Sequence, residues 1–242
     1  MAIPKVLVGA PVCDLYLYCL DDFLKAITSF SYKNYDILLL DNSKDNNMFN
    51  ELKKRGINVV KTEHTGKIRD MVIRDHNFLR KEALEKGYDY LFLLDQDVIP
   101  PKDAIERLIK HNKGAVAGLY FGHHTLELED NSNRIMPFAW AFINKNQGFW
   151  GDVGYLTDEE VFSNKLIKIA FAGGGCLMIH KSILGKIAFR YDKSMDVWDD
   201  RWFGYDLYKN GYEMFIDTSV KCKHLYLNRT FNYHELKKQG LV

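Results

Sequence analysis

What most limits the fold of this chain is an alternation that runs through its first half. Short runs dominated by apolar residues (Val6 to Ala10, Asp36 to Leu40, Ile57 to Val60, Tyr88 to Leu94, Ala115 to Phe121) alternate with stretches whose apolar residues recur at helical spacing (Leu15 to Phe30, Phe49 to Arg55, Lys67 to Lys86, Lys102 to Lys110). A run that is apolar on successive residues is a strand buried on both faces, and the amphipathic stretches between the runs supply the cover. Gly56 and Gly87 stand where two of those helices need a C-terminal stop. The expected fold is therefore α/β: a Rossmann-like three-layer sandwich with a mostly parallel central sheet and helices on both faces.

The rhythm breaks after Phe121. Residues 122–168 are rich in Asn, His, Gly and aromatic residues and show no period beyond a possible strand at Met136 to Ile143, which suggests a binding loop or insertion. Regular pattern returns with a strand over Ile167 to Ile179, interrupted by Gly173-Gly174-Gly175. Helices over Lys181 to Ile187 and Arg201 to Asn210 follow, then a strand over Glu213 to Asp217 and a last short helix over Asn232 to Gln239. The chain reads as one domain, 1–242, with two halves, 1–121 and 122–242. The 242 residues are enough to bury a real core, and a net charge of +1 gives no footprint for nucleic acid. No apolar run is long enough to cross a bilayer, and the N-terminus does not have the form of a signal peptide. Cys13, Cys19, Cys176 and Cys222 form no CxxC pair, so free thiols in a reducing compartment are expected. The expected location is cytoplasmic, with peripheral attachment to a membrane left open.

The chemistry is densest where the run Leu91-Phe92-Leu93-Leu94 meets Asp95-Gln96-Asp97. In extended backbone, residues i and i+2 point to the same side, so Asp95 and Asp97 are expected to converge on one cation. Carboxylates at the carboxyl end of a central strand lie where open α/β sheets bind ligands, and oxygen donors favour a hard divalent ion, Mg²⁺ or Mn²⁺. A polar turn with exposed acids is the plain alternative. The aromatic residues of Phe138-Ala139-Trp140-Ala141-Phe142, Phe149-Trp150 and Trp198 read equally as core filling or as flat surfaces for a ligand.

With these residues in view, the sequence resembles the GT-A glycosyltransferases, in particular the large inverting nucleotide-diphospho-sugar family, glycosyltransferase family two. Asp95-Gln96-Asp97 stands for its DxD motif. The resemblance implies that Pro11 and the pair Asp41-Asn42 help hold the nucleotide. An Arg-Asn pair is expected one strand before the DxD. Asn77, eighteen residues before Asp95, has the spacing of that Asn, but His76 precedes it, and Arg74 is the first choice for the basic role. Gly173-Gly174-Gly175 resembles the small-residue strand beneath the donor sugar, with Gly174 as its contact. Trp198-Asp199-Asp200-Arg201-Trp202-Phe203 resembles the acidic motif whose second acid, here Asp200, is the general base, with Asp199 beside it. His224, after the strand that follows, would complete a metal site with Asp97 and Asp95.

The function this implies is a metal-dependent, hexosyltransferase-like glycosyltransferase. Its donor would be a UDP- or GDP-sugar, its acceptor a glycan, a lipid-linked hydroxyl or a small hydroxyl compound, and its stereochemistry inverting. A retaining GT-A enzyme and a catalytically inactive nucleotide-sugar or glycan-binding domain are the alternatives. A nucleotidyltransferase would carry a Gly-rich basic loop where Pro11-Val12-Cys13-Asp14 stands, and no GxGxxG follows any strand to support a dehydrogenase.

Overall fold

The computed structural model describes residues 3–125, 133–143, 148–151, 153–195 and 197–226. The helix expected over Asn232 to Gln239 lies outside the described residues. In chain order the elements are β1 (Val6–Val12), α1 (Leu20–Thr28), β2 (Tyr35–Asp41), α2 (Asn47–Lys54), β3 (Val59–Lys61), α3 (Ile68–Glu85), β4 (Tyr90–Leu94), β5 (Val98–Ile99), α4 (Ala104–Ile109) and β6 (Ala115–Leu119). There follow β7 (Phe121–Thr125), β8 (Asn133–Pro137), β9 (Ala139–Phe142), β10 (Val153–Tyr155), α5 (Asp158–Phe162), β11 (Leu166–Ile169), β12 (Phe171–Ala172), β13 (Cys176–His180), α6 (Lys181–Leu184), α7 (Asp199–Lys209), β14 (Met214–Lys221) and β15 (Lys223–His224).

Eight strands form the central sheet in the order β11-β14-β6-β13-β4-β1-β2-β3. Strands β1 to β4 pair in parallel, as do β6 and β14. β13 runs antiparallel between β4 and β6, and β11 is antiparallel at one edge. The α/β architecture with a mostly parallel sheet is as the sequence implies. Its cause is visible in β4, every residue of which is buried. Leu91 and Leu93 pack with Leu79 and Ala83 of α3 on one face, and Phe92 and Leu94 pack with Phe23 and Ile27 of α1 on the other. None of the four cysteines is in a disulfide.

Four expectations are corrected. The helix expected over Leu15 to Phe30 begins as a tight 3₁₀ segment over Asp14–Cys19 with non-helical Tyr16, and only Leu20–Thr28 is α-helical. The reason is Gln96, whose side chain accepts from the Cys13 amide at 2.9 Å and donates to the Tyr16 carbonyl at 3.0 Å, holding the segment over the acidic loop. The run Ile167 to Ile179 is three strands in two sheets, β11, β12 and β13: the chain changes sheet at Ala170, whose amide donates to the Trp140 carbonyl at 2.7 Å, and the three glycines turn it between β12 and β13. The strand expected over Met136 to Ile143 is two, β8 and β9, which change partner at Phe138, whose amide donates to the Tyr120 carbonyl at 3.0 Å. Residues 122–168 thus carry more regular structure than their composition suggests. β14 runs beyond Asp217 to Lys221 through an irregularity in its pairing with β6.

Candidate active site

The parallel strands β1, β2 and β4 end along one edge of the sheet at Val12, Asp41 and Leu94. Against that edge lies a cavity of about 850 Å³. Pro11, Asn42 and His64 line one end, Asp95, Gln96, Asp97 and His224 the middle, and His76, Gly174, Asp199 and Asp200 the far side. The switch of direction at β13, between two parallel strands, puts its glycine-rich entry on this wall.

The acidic loop is not extended. Its backbone turns at once, with the Val98 amide donating to the Asp95 carbonyl at 3.1 Å, so the i, i+2 geometry of a strand does not govern the two carboxylates. Asp97 Oδ2 lies 3.3 Å from His224 Nε2. His224 Nδ1 donates to the Phe121 carbonyl at 2.6 Å, which leaves Nε2 as the nitrogen facing Asp97. The pairing of β15 with β5 sets His224 opposite Val98, and the Leu225 amide donates to the Asp97 carbonyl at 2.8 Å, so both side chains stand on backbone stitched together. Asp95 is turned instead toward β13, where a side chain on Gly175 would come within 2.8 Å of its Oδ2. Burial, and then the Asp97 charge, push its pKa up to about 6. Among the described residues no group of three His, Cys, Asp or Glu side chains is arranged to hold a metal ion. What the structure offers is a pair, one carboxylate oxygen and one imidazole nitrogen. That donor set suits Mn²⁺ or Mg²⁺ if phosphate oxygens and water supply the rest of the shell.

At the end of the cavity beside β1 and β2, Pro11 and Asn42 are on the wall. Asn42 donates to Asp75 Oδ2 at 2.9 Å and accepts at its carbonyl from His64 Nδ1 at 2.8 Å. Asp41 is fully buried. Its Oδ1 accepts from the amide and hydroxyl of Ser43 and its Oδ2 from Lys61 at 2.9 Å, so it shapes the loop that carries Asn42 and Lys44. Arg74 does not line the cavity and donates to Asp75, to the Glu63 carbonyl and to Thr62. Asn77 clamps the backbone of Phe189, accepting from its amide at 3.0 Å and donating to its carbonyl at 2.7 Å.

At the far side, α7 begins with the two acids. Asp199 is buried and accepts from His76 Nδ1 at 2.8 Å. Asp200 accepts at Oδ1 from the Arg201 amide at 2.6 Å. Crowding by protein on the cavity wall, and then the Asp199 charge, push the pKa of Asp200 up to about 7. Beneath them, a side chain on Gly173 would come within 2.2 Å of the Tyr120 hydroxyl and one on Gly175 within 2.9 Å, whereas one on Gly174 would make only ordinary contacts, with His76 at 3.7 Å and Leu93 at 3.8 Å. The Tyr120 hydroxyl accepts from the Gly175 amide at 3.1 Å and fixes this turn. Of the aromatic residues, Trp198 is 47% exposed and Phe138 lines the cavity. Phe149 is core, and Trp140 stacks on Phe171 at 4.4 Å.

Sequence reasoning assigned no role to His76, His64, Gln96 or Tyr120. Gln96 is the unspecified middle of the acidic motif and His76 stands where an Arg was expected, while His64 and Tyr120 have no motif around them; tertiary packing brings all four to the cavity.

No family model matches the sequence, and no curated protein matches it. Among solved structures, the crystal structure of A197 from STIV is 17% identical with a TM-score of 0.52, covering 94% of this chain and 88% of that one. The crystal structure of GalNAc-T7 with UDP, GalNAc and Mn²⁺ is 14% identical with a TM-score of 0.64, covering 92% of this chain and 44% of that one, so the chain spans less than half the length of that protein. At these identities the likeness is one of fold, and the fold is that of the GT-A glycosyltransferases.

Proposed function

We propose that this chain is a metal-dependent glycosyltransferase that moves a sugar from a nucleotide-diphosphate donor to an acceptor hydroxyl with inversion. The observation that carries the reading is a single cavity. At the carboxyl edge of a mostly parallel sheet it gathers Pro11 and Asn42, a carboxylate–imidazole pair and a carboxylate whose pKa of about 7 suits a general base. The GT-A fold, and a structure of that fold crystallised with UDP, GalNAc and Mn²⁺, support it.

In this reading Pro11 and Asn42 border the base and ribose, with Asp41 acting through the loop it shapes. Asp97 and His224 would hold Mn²⁺ or Mg²⁺, which when bound neutralises charge on the leaving diphosphate. Gly174 gives the sugar a floor without a side chain. Asp200, deprotonated, accepts the acceptor's hydroxyl proton as that oxygen bonds to the anomeric carbon and the bond from carbon to phosphate oxygen breaks. Attack on the face opposite the leaving group inverts the centre. Trp198, exposed at the rim, is placed to meet the acceptor.

The test is a thermal-shift screen of UDP- and GDP-sugars with and without Mn²⁺, followed by transfer to hydroxyl acceptors. A true donor raises the melting temperature by mass action. A flat response to every nucleotide sugar in Mn²⁺ would overturn the proposal.

A further inference from the structure

His76 Nε2 is a buried polar atom with no hydrogen-bond partner, on a ring that is 4% exposed and borders the cavity. Such atoms are rare in folded proteins, and one at a cavity wall points to a ligand. The ring is held from three sides. Asp199 accepts from Nδ1 at 2.8 Å, Phe189 packs on the ring at a centroid distance of 4.9 Å, and Gly174 lies against its Cε1 edge. Asn77, the next residue on α3, clamps Phe189 in place through both of its backbone groups. This is a positioned side chain with one open valence.

The surroundings select what can fill it. Asp95, Asp199 and Asp200 stand around this side of the cavity, a field that repels phosphate and tolerates neutral hydroxyls. With Nδ1 committed to Asp199, Nε2 is an acceptor in the neutral ring and a donor in the charged one. A hydroxyl satisfies either state, whereas a phosphate oxygen satisfies only the second. Burial is the largest influence and works against the charged ring, but the charge and hydrogen bond of Asp199 together with the charges of Asp95 and Asp75 outweigh it and raise the pKa above the ordinary histidine value.

We propose that His76 Nε2 hydrogen-bonds a hydroxyl of the donor's sugar ring, so that the His76–Asp199 pair, beside Gly174, selects the sugar and leaves the nucleotide to the other end. This rests on the glycosyltransferase reading above. His76 touches the substrate, and Asp199 is a positioning residue that acts through it.

The experiment compares, by calorimetry in Mn²⁺, the affinities of UDP and GDP with those of their hexose conjugates, in wild type, His76→Phe and His76→Gln. The Phe variant keeps an aromatic ring against Phe189 but has no polar atom, and the Gln amide nitrogen reaches near the position of Nε2. Phe should lose about tenfold or more in affinity for the preferred nucleotide sugar while binding the free nucleoside diphosphate within about twofold of wild type, and Gln should recover part of the loss. Equal losses for nucleotide and nucleotide sugar would make the contact a phosphate contact and overturn the proposal. So would an unchanged preference among sugars. Wild type needs no substitution for the second measurement. In protein labelled with ¹⁵N-histidine, the Nε2 resonance of His76 should move when the nucleotide sugar replaces the nucleoside diphosphate, and a resonance that stays put refutes the contact. If wild type binds the nucleoside diphosphates but none of their sugar conjugates, the glycosyltransferase reading itself has failed, a result distinct from a His76 variant that binds like wild type.

Discussion

Asp200 is the side chain whose chemistry can be read most directly from its setting. A carboxylate with an ordinary pKa is a weak base, and one raised to about 7 by its crowded position and by Asp199 is matched to a hydroxyl proton near neutral pH. Because the base works deprotonated, the transfer rate should rise with pH and level off above about 7. Asp200→Asn should bind donor and metal nearly as wild type yet lose roughly 10² to 10⁴ in kcat, with the pH rise abolished. A variant that keeps the wild-type rate and profile would remove Asp200 from the chemistry. A second residue-scale prediction concerns the Asp97–His224 pair, whose atoms lie 3.3 Å apart. His224→Ala and Asp97→Ala should each erase the difference in nucleoside diphosphate affinity between Mn²⁺ and chelator, measured by calorimetry. Persistence of that difference in both variants would place the ion elsewhere.

The elements explain why part of the site was legible in the sequence and part was not. Strand β4 could be read because burial on both faces leaves a continuous apolar run, and its end announced Asp95 and Asp97. The turn at Asp95 to Val98 could not, because period-2 reasoning stops at the last paired residue. His224 was expected at the site from a resemblance, and its partner Phe121 is 103 residues away, a relation no local pattern carries. On α3 the resemblance offered Asn77, by its distance from Asp95, and Arg74 as candidates; in the fold Arg74 bonds to the loop after β3 and Asn77 to Phe189, while His76 between them lines the cavity. This leads to a prediction for Asn77. Its loss unpartners the amide and carbonyl of Phe189, so Asn77→Ala should destabilise the fold by about 2 kcal/mol while leaving nucleoside diphosphate affinity within about twofold of wild type. Denaturant unfolding checks the first part and calorimetry the second. A stable variant that has lost nucleotide binding would restore Asn77 to the donor site.

For the whole molecule, gathering Asp95, Asp199 and Asp200 around one cavity is a cost to the fold that depends on pH. In the unfolded chain an aspartate titrates near 3.8, whereas in the fold Asp200 titrates near 7 and Asp95 near 6. Between those values the native state holds protons that the unfolded state has released, so stability falls as pH rises across this window and the loss is complete above about 7. His76, raised above the ordinary value, contributes in the same direction, because its extra stability is present at low pH and fades as the pH passes its folded pKa. Comparing wild type with Asp200→Asn, both in chelator, isolates the share of Asp200, since the neutral amide cannot charge at any pH. The melting temperature of the variant relative to wild type should increase from pH 5 to pH 8 and level off beyond about 7. Saturating Mn²⁺ with a nucleoside diphosphate should raise both proteins, because Asp97 and His224, the residues placed to hold the ion, are the same in each. A difference that stays flat from pH 5 to pH 8 would mean that Asp200 is solvated well enough to titrate normally, and its assignment as a base tuned to neutral pH would fall with it.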